Sequence, residues 1–305
     1  RGDKDSLAGR ALSVRLHPLS QAELRGSLGR GAFVDRLLER IDDPAGLAVA
    51  VPPSRVDVVE LLLRGGYPSI REAGTRLRTA WLSDYVERLL GVDAREGGGR
   101  LDPLRLAAVL RLIAANQSGE LVKARIAQEA ALSAASVTGY LDALDRLYLT
   151  EDLHPWAVNL TAREIGRRKV RVGDSGLAAW LCGASVGLLK DVVRGGKVFG
   201  ALLEGFVVGE LSAQAGWAEV DYRLYHYRDR RGLEVDVIIE LGDGRVIAVE
   251  VKSAAGLTGR HFAGLTDLKR KLGDRLAAGV VLAPVDEPMR YAEGLWGLPL
   301  NTLWE

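Results

Sequence analysis

LEVDVIIELGDGRVIAVEVKS, residues 233–253, is the stretch on which the fold turns. Strand-forming residues fill both halves, 233–241 and 246–252, and Gly242, Asp243 and Gly244 between them are hairpin chemistry. Side chains alternate faces along a strand, so Glu250 and Lys252 share one face while Ile247, Val249 and Val251 take the other. In the first strand Val235, Val237 and Ile239 form one face and leave Asp236 on the opposite one. The turn decides whether the acids meet. A three-residue loop with Gly244 left-handed pairs Leu241 with Arg245 and puts Asp236 directly opposite Glu250, whereas a two-residue turn over Asp243 and Gly244 sends them to opposite faces. The three-residue loop is the expectation. Like charges so opposed, with Cβ atoms ~5 Å apart, destabilise a sheet unless something compensates them. A divalent cation does, and hard oxygen ligands suit Mg²⁺ (or Mn²⁺). Asp236 and Glu250 are therefore the expected metal ligands, with Lys252 beside them to orient water or stabilise charge on a phosphate.

Around this hairpin a helix over about 198–214 precedes strands at 222–228, 233–241, 246–252 and 279–283, and a helix-like run at 262–276 separates the last two. Residues 198–305 thus read as a mixed α/β sheet flanked by helices. Residues 1–95 read as mostly helical, with a helix near 56–64 stopped by Gly65, Gly66 and Pro68, and the glycine-rich 96–100 is the linker candidate. Within 103–182, two helices joined by a short turn carry Ile126, Ala130 and Leu132, then Val137, Leu141, Leu144 and Leu147. They make a helix-turn-helix. The following strand-like segment contains Arg163, Arg167, Arg168, Lys169 and Arg171 against one acid, a candidate wing and the candidate DNA contact.

Composition narrows the classes. A net charge of +1, with 41 basic and 40 acidic residues, means any nucleic-acid surface is local. Cys182 is the lone cysteine, and with four scattered histidines it offers neither an internal disulfide nor a zinc spacing, which fits a reducing compartment. The sequence has no apolar run of bilayer length and no signal-peptide pattern, so a cytoplasmic location with no membrane partner is expected.

Glu204 on a helix, then Asp236, then Glu250-Val251-Lys252 resembles the PD-(D/E)xK nuclease superfamily, with Val235 where the name-giving proline would stand. That resemblance implies a restriction-endonuclease-like fold and a catalytic set of Glu204, Asp236, Glu250 and Lys252. More widely, SLAGR (6–10), HPLSQAEL (17–24), RGGYP (64–68), VGDSGLAAWL (172–181), LLEGFVVGEL (202–211) and the terminal LPLNTLW resemble bacterial and archaeal AAA-type ATP-binding proteins that carry a winged helix and a nuclease-type C-terminal domain of unknown function. The resemblance implies the end of an ATPase core and its helical lid at 1–95, a winged helix at 103–182 and the nuclease-like domain at 198–305. It makes Arg10 and Arg64 candidate nucleotide-binding arginines. No P-loop is present: Gly196-Lys197 is followed by Val198 where the motif needs a hydroxyl. ATP is therefore expected only with a preceding segment that would carry the P-loop. A protein partner or self-association would come through the ATPase part.

Two hydrolase-like motifs read as structural. Gly183-Ala184-Ser185-Val186-Gly187 follows a helix-like run, whereas a nucleophile elbow ends a strand. Gly173-Asp174-Ser175-Gly176 ends a strand and caps the next helix through Asp174 or Ser175. The leading expectation is a Mg²⁺-dependent phosphodiesterase acting on DNA. Its rivals are a non-catalytic module, binding nucleic acid or protein within an ATP-driven machine, and a winged-helix DNA-binding regulator.

Overall fold

A computed structural model of the protein describes residues 14–47, 51–96, 101–159, 161, 163 and 166–305. Arg10 and the glycines at 97–99 lie outside the described residues.

The N-terminal region is helical. Ser20 with Glu23 and Ser54 with Asp57 form capping boxes on the helices Gln21–Arg25 and Arg55–Arg64, satisfying N–H groups that a helix start leaves open. Between them lies the helix Phe33–Glu39, and Thr75–Glu96 follows. The chain then runs helix Pro103–Ala115, strand β1 (Gly119–Glu120), helices Lys123–Glu129 and Ala134–Arg146, and strands β2 (Thr150–Leu153) and β3 (Lys169–Val172). The three strands form an antiparallel sheet in the order β1-β3-β2. Ile126, Val137, Leu141 and Leu144 are buried in the core, as their helical spacing predicts.

Helices Ser175–Leu181, Val186–Lys190 and Val192–Gln214 lead into a six-stranded mixed sheet. Its strands are β4 (Tyr222–Arg228), β5 (Glu234–Leu241), β6 (Val246–Val251), β7 (Leu276–Ala283), β8 (Met289–Ala292) and β9 (Leu295–Pro299), ordered β4-β5-β6-β7-β9-β8. β6, β7 and β9 run parallel, and the remaining pairs are antiparallel. One core joins Val237, Ile239, Ile247 and Val249 to Leu203, Val207 and Leu211 of the long helix Val192–Gln214. A second core joins Ile238, Ala248 and Val281 to Phe262, Leu265 and Leu268 of the helical segment on the other side, and to Trp156. Both faces are covered, which is why β5 and β6 read as nearly continuous apolar runs.

Three features depart from the sequence reading. The long helix starts at Val192 rather than near 198, with Asp191 accepting from the Val193 and Arg194 amides as its cap. β8 and β9 were not anticipated. Most consequentially, residues 20–36 clasp the far end of the chain. Phe33 N–H donates to Gln214 Oε1 (2.7 Å), Gln214 Nε2 donates to Leu303 O (2.7 Å), and Arg36 donates to Thr302 O and Glu305 O (2.8 and 2.9 Å). Asp35 accepts from the amides of Glu219 and Val220, and Gln21 N–H lies 2.9 and 3.0 Å from the two oxygens of buried Glu210. The first helices are thus built into the C-terminal part as well as into the helical region.

Candidate active site: a carboxylate and lysine cluster

The β5–β6 hairpin closes through the three-residue loop. Leu241 N–H donates to Arg245 O at 2.9 Å, Gly244 N–H to Leu241 O at 3.0 Å, and Gly244 has φ +83°, a left-handed position that favours glycine. Backbone pairing runs from Glu240 opposite Val246 to Val237 opposite Val249, and there it stops. One step further on, where Asp236 faces Glu250, side chains replace the ladder. Asp236 N–H donates to Glu250 Oε2 (3.2 Å) and Val251 N–H donates to Asp236 Oδ2 (2.8 Å). Buried amides must find acceptors, so these carboxylates hold the parting strands together as well as supplying charge.

On the other edge of β5, Ile238 pairs with Tyr225 but Val235 pairs with Tyr227, so Asp236 and Val237 together oppose His226 alone. This is a β-bulge, an extra residue that bends the strand and re-aims side chains. It corrects the alternation expected from sequence: Val237 and Ile239 join the core under the long helix, while Val235 switches to the other core.

Glu204 reaches the same place from the long helix. Gly205, next to it, allows that helix to approach the turn before β1 closely; a Cβ there would lie 2.5 Å from Gln117 Nε2. Lys169, from β3, inserts between the acids, its ammonium 2.7 Å from Glu204 Oε1 and 4.0 Å from Asp236 Oδ1. Lys252 lies 2.5 Å from Glu250 Oε1 and 3.8 Å from Asp236 Oδ2. The four residues expected from sequence therefore converge, with a fifth beside them, and the order along the cluster is Glu204, Lys169, Asp236, Lys252, Glu250.

Three carboxylates face two ammonium groups where little water enters. Burial pushes Glu204 up to about 8, Asp236 adding repulsion and Lys169 offsetting part of it. Burial and then Asp236 push Glu250 up to about 7 against the opposing effect of Lys252. For both lysines burial disfavours the charge, but the acids outweigh it and hold them above the ordinary lysine value: Glu204 and Asp236 for Lys169, Asp236 and Glu250 for Lys252.

The donor set is right in kind for Mg²⁺, being hard carboxylate oxygen. Its arrangement does not fit one. Among the described residues no three histidine, cysteine or acidic side chains are grouped so as to hold an ion. Here each acid is already engaged by a lysine or a backbone amide.

The basic strip divides. Arg163 makes a two-pronged pair with Glu240 (2.6 Å each), Arg171 bonds Glu151, and with Lys169 all three are buried. Facing inward and paired, they do not form the solvent-facing DNA contact expected from sequence. Arg167, its side chain 70% exposed and 3.7 Å from Glu120, faces solvent, and Arg168, 30% exposed, pairs with Asp152. What the sequence hid is that the acids partnering this strip come from four separate elements, β1, β2, β5 and the long helix.

Arg64 borders a cleft of about 550 Å³ with Arg78, Leu82 and Trp180, and lies 3.9 Å from Glu60. Both hydrolase-like motifs are structural: Asp174 accepts from Leu177 N–H (2.7 Å) and Ser185 from Leu188 N–H (3.2 Å), each as a helix cap.

Residues 199–303 match the family described as domain of unknown function DUF4143, a domain found in AAA-ATPase-associated proteins, and residues 55–187 match domain of unknown function DUF8612. Uncharacterized proteins of Mycobacterium bovis and Mycobacterium tuberculosis are each 28% identical over 247 residues, covering 74% of this chain and 54% of the relative. The chain thus spans about half the length of the curated relatives it matches. No solved structure matches. Among the described residues no helix is long and apolar enough to cross a membrane.

Proposed function

We propose that residues 198–305 are a nuclease-type domain that hydrolyses phosphodiester bonds in DNA with Mg²⁺ or Mn²⁺, within an AAA-type ATP-binding protein of the cytoplasm. The observation that carries this reading is the convergence of Glu204, Asp236, Glu250 and Lys252, from one helix and two strands, at a single desolvated point. Asp236 and Glu250 would be the residues to hold the cation, with Glu204 completing the acidic set, and they would have to exchange their present lysine and amide partners for it. Lys252 is the group for the attacking water or the phosphate charge. Residues 103–182 are proposed as a winged helix, in which Arg167 and Arg168 remain to meet a phosphate backbone. The occurrence of DUF4143 in AAA-ATPase-associated proteins supports the wider resemblance, and Arg64 is proposed to meet nucleotide in the longer parent.

The rival reading is a non-catalytic module that binds nucleic acid or a partner protein. Its support is specific: every carboxylate of the cluster already has a lysine or amide partner. Incubation of the purified chain with DNA and Mg²⁺ or Mn²⁺ separates the two. Cleavage is expected, and Lys252→Ala should lower it by roughly 10²-fold or more. A wild-type chain that cuts neither single- nor double-stranded DNA with either metal would leave the rival standing.

A further inference from the structure

The helices Arg55–Arg64, Thr75–Glu96, Ser175–Leu181 and Val186–Lys190 meet around the cleft of about 550 Å³ that Arg64 borders. That volume is in the range of sites that enclose a small molecule. Its lining residues all lie between 60 and 187, so the nuclease-type reading makes no use of it. The wall is apolar, built from Leu63, Leu82, Trp180 and Val186, with Leu82 buried and Trp180 half-buried. Gly176 permits the close meeting of two of the helices: a Cβ there would press on the Arg64 carbonyl at 3.0 Å.

The charges in this cleft do not balance. Of the residues lining it, Arg64 and Arg78 are basic and only Glu60 is acidic. Glu60 stands 3.9 Å from Arg64, at the limit of an ion pair, and both side chains are about half exposed. Arg78 has no acid partner among the described residues: its hydrogen bond goes to the Thr75 hydroxyl at 3.5 Å, and the first turn of its helix holds no acid. Burial, and after it the charge of Arg64, holds the Arg78 guanidinium below the ordinary arginine value. Two guanidiniums within each other's field beside an apolar wall lack an anion.

We propose that the cleft binds a small organic anion, its carboxylate or phosphate head held by Arg64 and Arg78 and its flat apolar body lying against Leu82 and Trp180. A guanidinium meets either head with two parallel N–H bonds, and an indole favours a flat partner. The surplus is one positive charge, which a single such head neutralises. The proposal goes beyond the reading of Arg64 as a contact to nucleotide in the longer parent, since it needs no residue outside this chain.

Fluorescence titration of the full chain with 1-anilinonaphthalene-8-sulfonate, an anion with a flat apolar body whose emission rises out of water, tests this. One probe is expected to bind per wild-type molecule. Arg78→Gln should weaken it by roughly tenfold or more, the loss typical of a charge-assisted bond, and Arg64→Gln by a similar factor; the second carries the test if the first does not fold. Arg88→Gln, at an exposed position of the same helix as Arg78, should leave it unchanged. Displacement of the probe by AMP identifies a phosphate head, and by indole-3-acetate a carboxylate head. Inorganic phosphate should displace it roughly tenfold less well than the better of these, because it cannot use the apolar wall. Binding as tight in the folded Arg78 and Arg64 variants as in wild type, equal weakening by Arg88→Gln, or no displacement by either AMP or indole-3-acetate would overturn the proposal. So would inorganic phosphate that displaces the probe as well as they do.

Discussion

The C-terminal sheet carries two clusters of acids and bases that behave in opposite ways. Around the β4–β5 turn, Asp229 and Asp267 face Arg231, Arg270 and Lys271, with Lys271 2.9 and 2.7 Å from the two acids and the arginine side chains 63% and 72% exposed. There the bond from Lys271 leads in holding Asp267 down to about 2 and Asp229 below the usual carboxylate range. At the buried cluster Glu204 and Glu250 go up instead. The residue types are the same. What differs is the count, two acids to three bases against three to two, and the exposure of the bases, the arginines of one cluster standing in solvent while Lys169 of the other is only 8% exposed. A carboxylate group short of partners and solvent is poised to take up positive charge, whether a proton, an ammonium or a metal.

Lys169→Ala should break the comparison hardest, because it leaves Glu204 buried without its partner. A loss of about 3–5 kcal/mol is expected in urea denaturation at pH 9, where Glu204 is ionised. The loss should shrink at pH 6, where Glu204 holds a proton, and an equal loss at both values would count against the surplus of acid. Smaller, but present in the wild type, is the pH slope. Glu204 and Glu210 sit at about 8 and Glu250 at about 7, all above their ordinary 4.5. For these groups the folded state binds the extra proton between those limits, so stability should fall as pH rises from about 4.5 to 8. Thermal melting should show this, and Glu210→Gln should flatten it. The exposed cluster sharpens the contrast by having the opposite sign. The contribution of Asp267 is present above 3.8 and is lost as pH falls through about 2, so Asp267→Asn should cost stability at neutral pH and make no difference once the pH is below about 2. Smallest of all, Arg270→Ala should barely move the melting temperature, and added salt should erase the difference.

The hairpin register was legible because three residues decide it: Gly244 accepts the left-handed turn, and the alternation of apolar residues then fixes Asp236 against Glu250. The mixed α/β sheet and the helix bearing Glu204 were legible for the same local reasons. The bulge at Asp236 and Val237 was not, because it arises from pairing with β4, and nothing in VDV announces it. Nor was the fate of Lys169 and Arg171. Two basic residues alternating with valines look like a half-exposed strand, and only long-range packing shows that their polar face meets Glu204 and Glu151 instead of water. Glu151 reports the strength of that arrangement: burial alone would raise it, yet Arg171, His17 and Arg15 hold it down to about 2.

The clasp between residues 20–36 and residues 214–305 sets an order of events during synthesis. Arg36 emerges from the ribosome 266 residues before Thr302, its carbonyl partner. At ~5–20 residues per second, that is roughly 13–53 s of waiting. Through that interval the apolar side of Phe33, Val34 and Leu37 has no finished surface to close against. Those first helices are the natural place for a chaperone to hold the nascent chain, and an early stall in translation would leave them exposed.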